Sequence, residues 1–164
     1  MSLLHLNIGS NQDRRKNIRL ALDQLANFFD KITVSSLFES PSEGFKGKNF
    51  YNVGVNVETH KEASEVIDIL HQIEDSLGRN RAMPKFSSRI IDLDLVLYDD
   101  MIDEAINVPR KDILRYAFVL APLLELNPDG IHPEKGVSFL KLWKDFESVN
   151  VFDLQKYNID QLYN

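Results

Sequence analysis

The sequence predicts an α+β fold: an antiparallel sheet covered by helices. Three observations predict it. Runs rich in Val, Ile, Phe and Thr read as strands. Two long stretches carry apolar residues at helical spacing. The main elements follow the order β-α-β-β-α-β, the ferredoxin-like split βαβ arrangement with two helices on one face of the sheet.

"SLLHLNI" (2–8) reads as the first strand, ended by the turn-forming "GSN". From Asp13 to about Asp30 the apolar positions Ile18, Leu22, Leu25, Phe28 and Phe29 mark a helix. "KITVSSLFES" (31–40) reads as one strand, "PSEGFKGK" (41–48) as a loop, and "FYNVGVNVET" (50–59) as an alternating strand. In "KEASEVIDILHQIEDSLG" (61–78) Val66, Ile69, Leu70, Ile73 and Leu77 form an apolar stripe, and Gly78 is a natural stop. A basic loop, "RNRAMPKFSS" (79–88), leads into the strand "RIIDLDLVLYDD". "FVLAPLLEL" (118–126) predicts a short helix, and Leu140, Leu142, Trp143 and Phe146 predict another. These are C-terminal additions to the βαββαβ sandwich. The tail from about Ser148 to Asn164 is read as a last helix or an extension.

A chain of 164 residues favours one domain, spanning 1–164, with room for a real core. With 43% hydrophobic and 27% charged residues, its composition is that of an ordinary soluble protein. The formal net charge of −6 argues against a broad basic surface for nucleic acid. There are no cysteines, so disulfides and thiolate metal sites are excluded. No apolar run approaches the roughly 18–20 residues of a membrane span, and "MSLLHLNIGSN" does not read as a signal peptide. The expected setting is cytoplasmic.

The chemistry centres on "SSRIIDLDLVLYDD" (87–100). In a strand, residues i and i+2 share a face, so Asp92 and Asp94 stand side by side, with Cα atoms roughly 6.5–7 Å apart. Two ionised carboxylates this close repel. A divalent cation relieves the repulsion, and magnesium is typically held by one or two carboxylates plus substrate phosphates. Two such ions could share the pair and clamp a transferring phosphoryl group. The same D-x-D pattern also occurs on the solvated face of an ordinary half-buried strand. Arg79, Arg81, Lys85 and Arg89 just upstream shift the balance toward a polyphosphate site. No P-loop, zinc-ligand spacing or G-x-S-x-G elbow is present.

"NIGSNQDRRKNIRLALDQL", "SSLFESP", "FYNVGV", "IEDSLGRNR", "SSRIIDLDLVLYDD", "NVPRKDI" and "AFVLAPLLEL" occur in this order. Together they resemble the 6-hydroxymethyl-7,8-dihydropterin pyrophosphokinase family over roughly residues 4–130. The resemblance implies pyrophosphoryl transfer from ATP to the pterin hydroxymethyl, with AMP released, in folate biosynthesis. It implies ATP as co-substrate and two magnesium ions, held by Asp92 and Asp94. Arg79 and Arg89 match active-site arginines that grip the phosphates. Glu74, Arg81, Phe86, Arg110 and Lys111 fall at ATP-side positions. Phe50 and Phe118 match the aromatics that sandwich the pterin, Asn52 the amide that reads its edge, and Ser40, Pro41 and Glu43 the segment lining its pocket. Expected partners are ATP and a reduced pterin, with no nucleic acid, no membrane and a monomeric chain. The loops 41–48 and 79–88 flank this site and are expected to close over ATP.

The departures from the family pattern lie on the ATP side. Arg110 stands where His is typical, Phe86 where Trp is typical, Ser87 and Ser88 replace a Gly or Pro, and Tyr116 takes a slot that is usually basic, with Arg115 one place earlier. They motivate an alternative, a catalytically weak or inactive pterin-binding paralogue.

Overall fold

The computed structural model describes residues 1–42, 47–78 and 91–163. β1 (Ser2–Ser10) is followed by α1 (Arg14–Phe28), β2 (Lys31–Val34), β3 (Leu37–Ser40), β4 (Phe50–Thr59), α2 (Ala63–Ser76) and β5 (Asp92–Tyr98). Beyond them lie α3 (Ala117–Leu126), α4 (Phe139–Val149) and β6 (Gln155–Tyr157). The described strand pairings are all antiparallel, in the order β5-β1-β4-β3-β6, with β2 also paired to β4. With β2 and β3 taken together as the stretch 31–40, the βαββαβ order is as the sequence predicts.

Alternation along the central strands divides the sheet. Leu4, Leu6 and Ile8 of β1 and Val53, Val55 and Val57 of β4 turn to one face. There they pack with Ile18 and Leu25 of α1 and Val66, Leu70 and Ile73 of α2. Each such side chain, fully buried, contributes about 1.5–3 kcal/mol. The other face carries His5, Asn7 and Gly9 of β1 beside Asn56, Gly54 and Asn52 of β4. Polar residues on a half-buried strand usually meet water. Here α3 covers part of them. Val96, Val119, Leu120, Leu123 and Phe139 form a second, smaller core on this side.

Gly54 permits that approach. A Cβ at this position would lie 2.7 Å from Pro122 Cβ and 2.8 Å from His5 Cε1. Pro122 sits inside α3 and lacks the N–H that would bond the carbonyl four residues earlier. That carbonyl, Phe118 O, accepts instead from Asn7 Nδ2 at 3.0 Å.

Two expectations need correction. The stretch 31–40 is two strands, because one extra residue separates the register Val34↔Val55 from Phe38↔Asn52. Ser35 Oγ fills the gap by accepting the N–H of Gly54 at 2.8 Å. The tail is not a last helix. It pairs β6 against β3 and ends in a 3-10 turn at Ile159–Leu162, whose Leu162 is fully buried.

Candidate functional site

The site is assembled by register. Gly9 of β1 faces Asn52 on one side and Asp92 on the other, and Asn7 faces Gly54 and Asp94. Directly paired residues share a face, so Asn52 and Asp92 look out across Gly9 from strands roughly 9–10 Å apart. Leu93 and Leu95, between and beyond the aspartates, are buried in the main core. The face assignment made from the D-x-D spacing therefore matches the structure. Gly9 keeps the floor open: a Cβ there would lie 3.1 Å from Asn52 Oδ1.

β5 contains a bulge. Leu6 pairs with Leu95 and His5 with Leu97, leaving Val96 extra. Its carbonyl accepts the main-chain N–H of Arg110 at 2.9 Å. This places the Arg110 guanidinium beside the aspartates, with Nη2 3.5 Å from Asp94 Oδ1 and Nε 2.9 Å from Asp112 Oδ2. Burial, then the neighbouring charge of Asp92, pushes the Asp94 carboxyl well above the usual carboxylate range, against the pull of Arg110. Arg110 is held charged: burial opposes its charge, and Asp94 and Asp112 outweigh that opposition.

Glu74, in the last turn of α2, is 1% exposed. Its Oε2 accepts the N–H of Leu93 at 2.9 Å, between the two aspartates. β5 is an edge strand, so this carboxylate satisfies a main-chain donor the sheet leaves unpaired and locks α2 against the aspartate strand. Its charge also raises Asp94.

Among the described residues, no group of three or more His, Cys, Asp or Glu is placed to hold a metal. Asp92 and Asp94 supply oxygen donors, and their unfavourable proximity is what a hard cation relieves. The pair fits magnesium completed by phosphate and water oxygens rather than a closed protein cage.

On the β3–β4 side, Asn52 and Ser40 are both buried, and Asn52 Nδ2 donates to Ser40 Oγ at 2.9 Å. Phe50 pairs with Ser40 across the two strands. Pro41 follows Ser40 and is exposed. Phe118, at the start of α3, is held through its carbonyl by Asn7, and its ring stacks on Tyr116 at 4.8 Å. Lys111 is exposed, and its N–H donates to Asn107 Oδ1. The structure thus groups Asp92, Asp94 and Arg110, and separately Ser40, Phe50 and Asn52, along one sheet face. Glu43, Arg79, Arg81, Phe86 and Arg89 lie outside the described residues.

Asn7, Gly9 and Asp112 belong to this site although neither the D-x-D spacing nor the basic loop points to them. A signal for the first two was present: His5, Asn7 and Gly9 alternate with Leu4, Leu6 and Ile8, which marks a polar face on β1. Asp112 carries no comparable local signal.

Comparisons with known proteins place the chain in a family. The family model for 7,8-dihydro-6-hydroxymethylpterin-pyrophosphokinase matches residues 5–128. A 2-amino-4-hydroxy-6-hydroxymethyldihydropteridine pyrophosphokinase of Aquifex aeolicus is 30% identical over 154 residues, covering 92% of this chain and 93% of the relative. The bifunctional protein FolKE of Lactococcus lactis is 35% identical over 133 residues, covering 77% of this chain and 38% of the relative. Among solved structures, the HPPK-DHPS of Plasmodium falciparum aligns over 98% of this chain and 46% of its own, with a TM-score of 0.62 and 15% identity. That likeness concerns the fold.

Proposed function

The chain belongs to the 7,8-dihydro-6-hydroxymethylpterin-pyrophosphokinase family, and from that premise we propose that it transfers the pyrophosphoryl group of ATP to 6-hydroxymethyl-7,8-dihydropterin in folate biosynthesis. The hydroxymethyl oxygen forms a bond to the β-phosphorus, the bond from that phosphorus to the α,β-bridging oxygen breaks, AMP leaves, and the hydroxyl proton passes to solvent. The observation that carries the reading is one sheet face with Asn52 at one end and the Asp92–Asp94 pair with Arg110 at the other.

In this reading Asp92 and Asp94 would hold two magnesium ions. A magnesium ion held by this pair would supply neutralisation of the phosphate charge that builds up during the displacement. Arg110 adds a fixed cation at the same place and, with Lys111, serves the phosphates; Arg is suited to that by its forked donors. Arg79, Arg81 and Arg89 complete the cationic side, and Glu74 holds the aspartate strand in position. Asn52 and Ser40 read the pterin edge, while Phe50 and Phe118 stack on its faces, an arrangement favoured for flat rings. Pro41, Glu43 and Phe86 line the two subsites. Positioning and electrostatics supply most of the acceleration. The proposal includes a cytoplasmic setting and a monomeric chain. Among the described residues no helix is long and apolar enough to cross a membrane.

The test is AMP formation from ATP, magnesium and the pterin, with a no-pterin control. Pterin-dependent AMP is expected. Folded chain that binds the pterin and releases no AMP would overturn the reading in favour of the binding-only alternative.

A further inference from the structure

The C-terminal segment lies beyond the family match, which ends at residue 128, yet it is built into the sheet beside the proposed pterin pocket. β3 pairs with β4 through Phe38↔Asn52, Glu39↔Tyr51 and Ser40↔Phe50. On its other edge it pairs with β6 through Leu37↔Tyr157, Phe38↔Lys156 and Glu39↔Gln155. Without β6, the short strand carrying Ser40 would be a free edge.

Side chains reinforce the pairing on both faces. Tyr157 Oη donates to Glu39 Oε1 at 3.0 Å. Glu39 Oε2 accepts from Arg14 Nη1 at 2.7 Å. The same Arg14 nitrogen donates to Asn49 O at 2.9 Å, and the guanidinium lies 3.7 Å from the Tyr51 ring centroid. This relay reaches the residue before Ser40 and the residue before Phe50, the two sides of the loop between β3 and β4. On the opposite face, Lys156 Nζ lies 3.0 Å from Glu125 Oε1, and Glu125 Oε2 accepts the N–H of Ser36 at 2.6 Å. The buried Leu162 anchors the segment in the main core.

We propose that this strap is a positioning element for the pterin subsite, with Tyr157 acting through Glu39 and Arg14 to fix the spacing of Ser40 and Phe50. The inference rests on the pterin reading above. It predicts that the strap governs pterin affinity more than turnover, because its contacts end on the strands under the pterin side and not at Asp92, Asp94 or Arg110.

Tyr157→Phe tests it, since the ring stays and only the hydroxyl is lost. The dissociation constant and KM for 6-hydroxymethyl-7,8-dihydropterin should rise about three- to tenfold, the scale of the net contribution of one hydrogen bond. KM for ATP and kcat should change less than about twofold, on the scale of an untouched site. Hydrogen exchange of ligand-free protein should quicken over Leu37–Ser40 and at the start of β4, with the thermal midpoint nearly unchanged. Glu39→Gln, which keeps an acceptor for Tyr157 and loses the ion pair with Arg14, should move the same quantities in the same direction. Unchanged pterin affinity and unchanged exchange in Tyr157→Phe would overturn the proposal, as would equal losses for both substrates. Wild-type protein that fails to bind the pterin would overturn the functional reading itself, and this is seen before any variant is made.

Discussion

Arg110 Nη2 stands 3.5 Å from Asp94 Oδ1, presented by a main-chain bond to the bulged residue Val96 of the aspartate's own strand. The cation and the carboxylate are therefore fixed to one piece of backbone. The Arg110–Asp112 contact at 2.9 Å holds the guanidinium plane without closing it to a further anion.

Arg110→Ala should accordingly raise KM for ATP about tenfold or more, the scale of losing a charge-assisted contact. Pterin affinity, measured by calorimetry, should be unchanged. Equal losses for both substrates would show that Arg110 supports the fold and not the nucleotide side.

Asp94 should trade stability for function. Its carboxyl is raised by burial and by Asp92, so the native state favours the protonated form. Stability attached to this group is present at low pH and is lost as pH rises toward the raised native value. Asp94→Asn removes the penalty. In chelator at pH 8 its thermal midpoint should exceed wild type by about 2–4 °C, corresponding to roughly 1 kcal/mol in a chain of this size. Pterin-dependent AMP formation should meanwhile fall a hundredfold or more, as when one transition-state-stabilising group is removed. A lowered midpoint would contradict the electrostatic account of the pair.

Two glycines on one face should behave differently. Gly9→Ala puts a methyl 3.1 Å from Asn52 Oδ1, so pterin affinity should drop about tenfold while stability changes by less than about 1 kcal/mol. Gly54→Ala meets Pro122 and His5 below 3 Å and should cost about 1–3 kcal/mol of stability. Urea midpoints and pterin titrations of the two variants separate the effects.

His5 gives the fold an acid limit. It is 1% exposed, its Nδ1 lies 2.8 Å from Asn56 Oδ1, and among the described residues its Nε2 has no hydrogen-bond partner. Burial lowers its pKa from 6.5 to about 4, against the bond to Asn56. The native state thus binds the proton more weakly than the unfolded chain. The stability tied to neutral His5 is complete above about pH 6.5 and is lost as pH falls to about 4, a change of roughly 3 kcal/mol. His5→Leu should flatten the fall in urea midpoint between pH 7 and pH 4.5. Parallel curves for variant and wild type would refute the assignment.

Most of the element order was legible because it rests on local pattern: α1 and α2 by their stripes, β1 by its apolar run and the turn that ends it, β4 and β5 by alternation. The common face of Asp92 and Asp94 followed from strand geometry alone. The break at Ser35 and Ser36 was not legible. It depends on Gly54 across the sheet and on Glu125 from α3, whose carboxylate takes the Ser36 N–H. β6 was equally hidden, since three residues, Gln155–Tyr157, become a strand through partners more than a hundred positions away. The aspartates carried their signal in their spacing, whereas the approach of Arg110 to Asp94 required the bulge at Val96.

The most direct test of the central claim compares wild type with Asp94→Asn at saturating magnesium, resolving AMP from ADP as ATP is consumed with and without the pterin. The expected products are AMP and no ADP, formed only when the pterin is present, with the β-phosphorus recovered in the pterin product and the signal lost in the variant. ADP as the product, or AMP formed equally by Asp94→Asn, would contradict the claim.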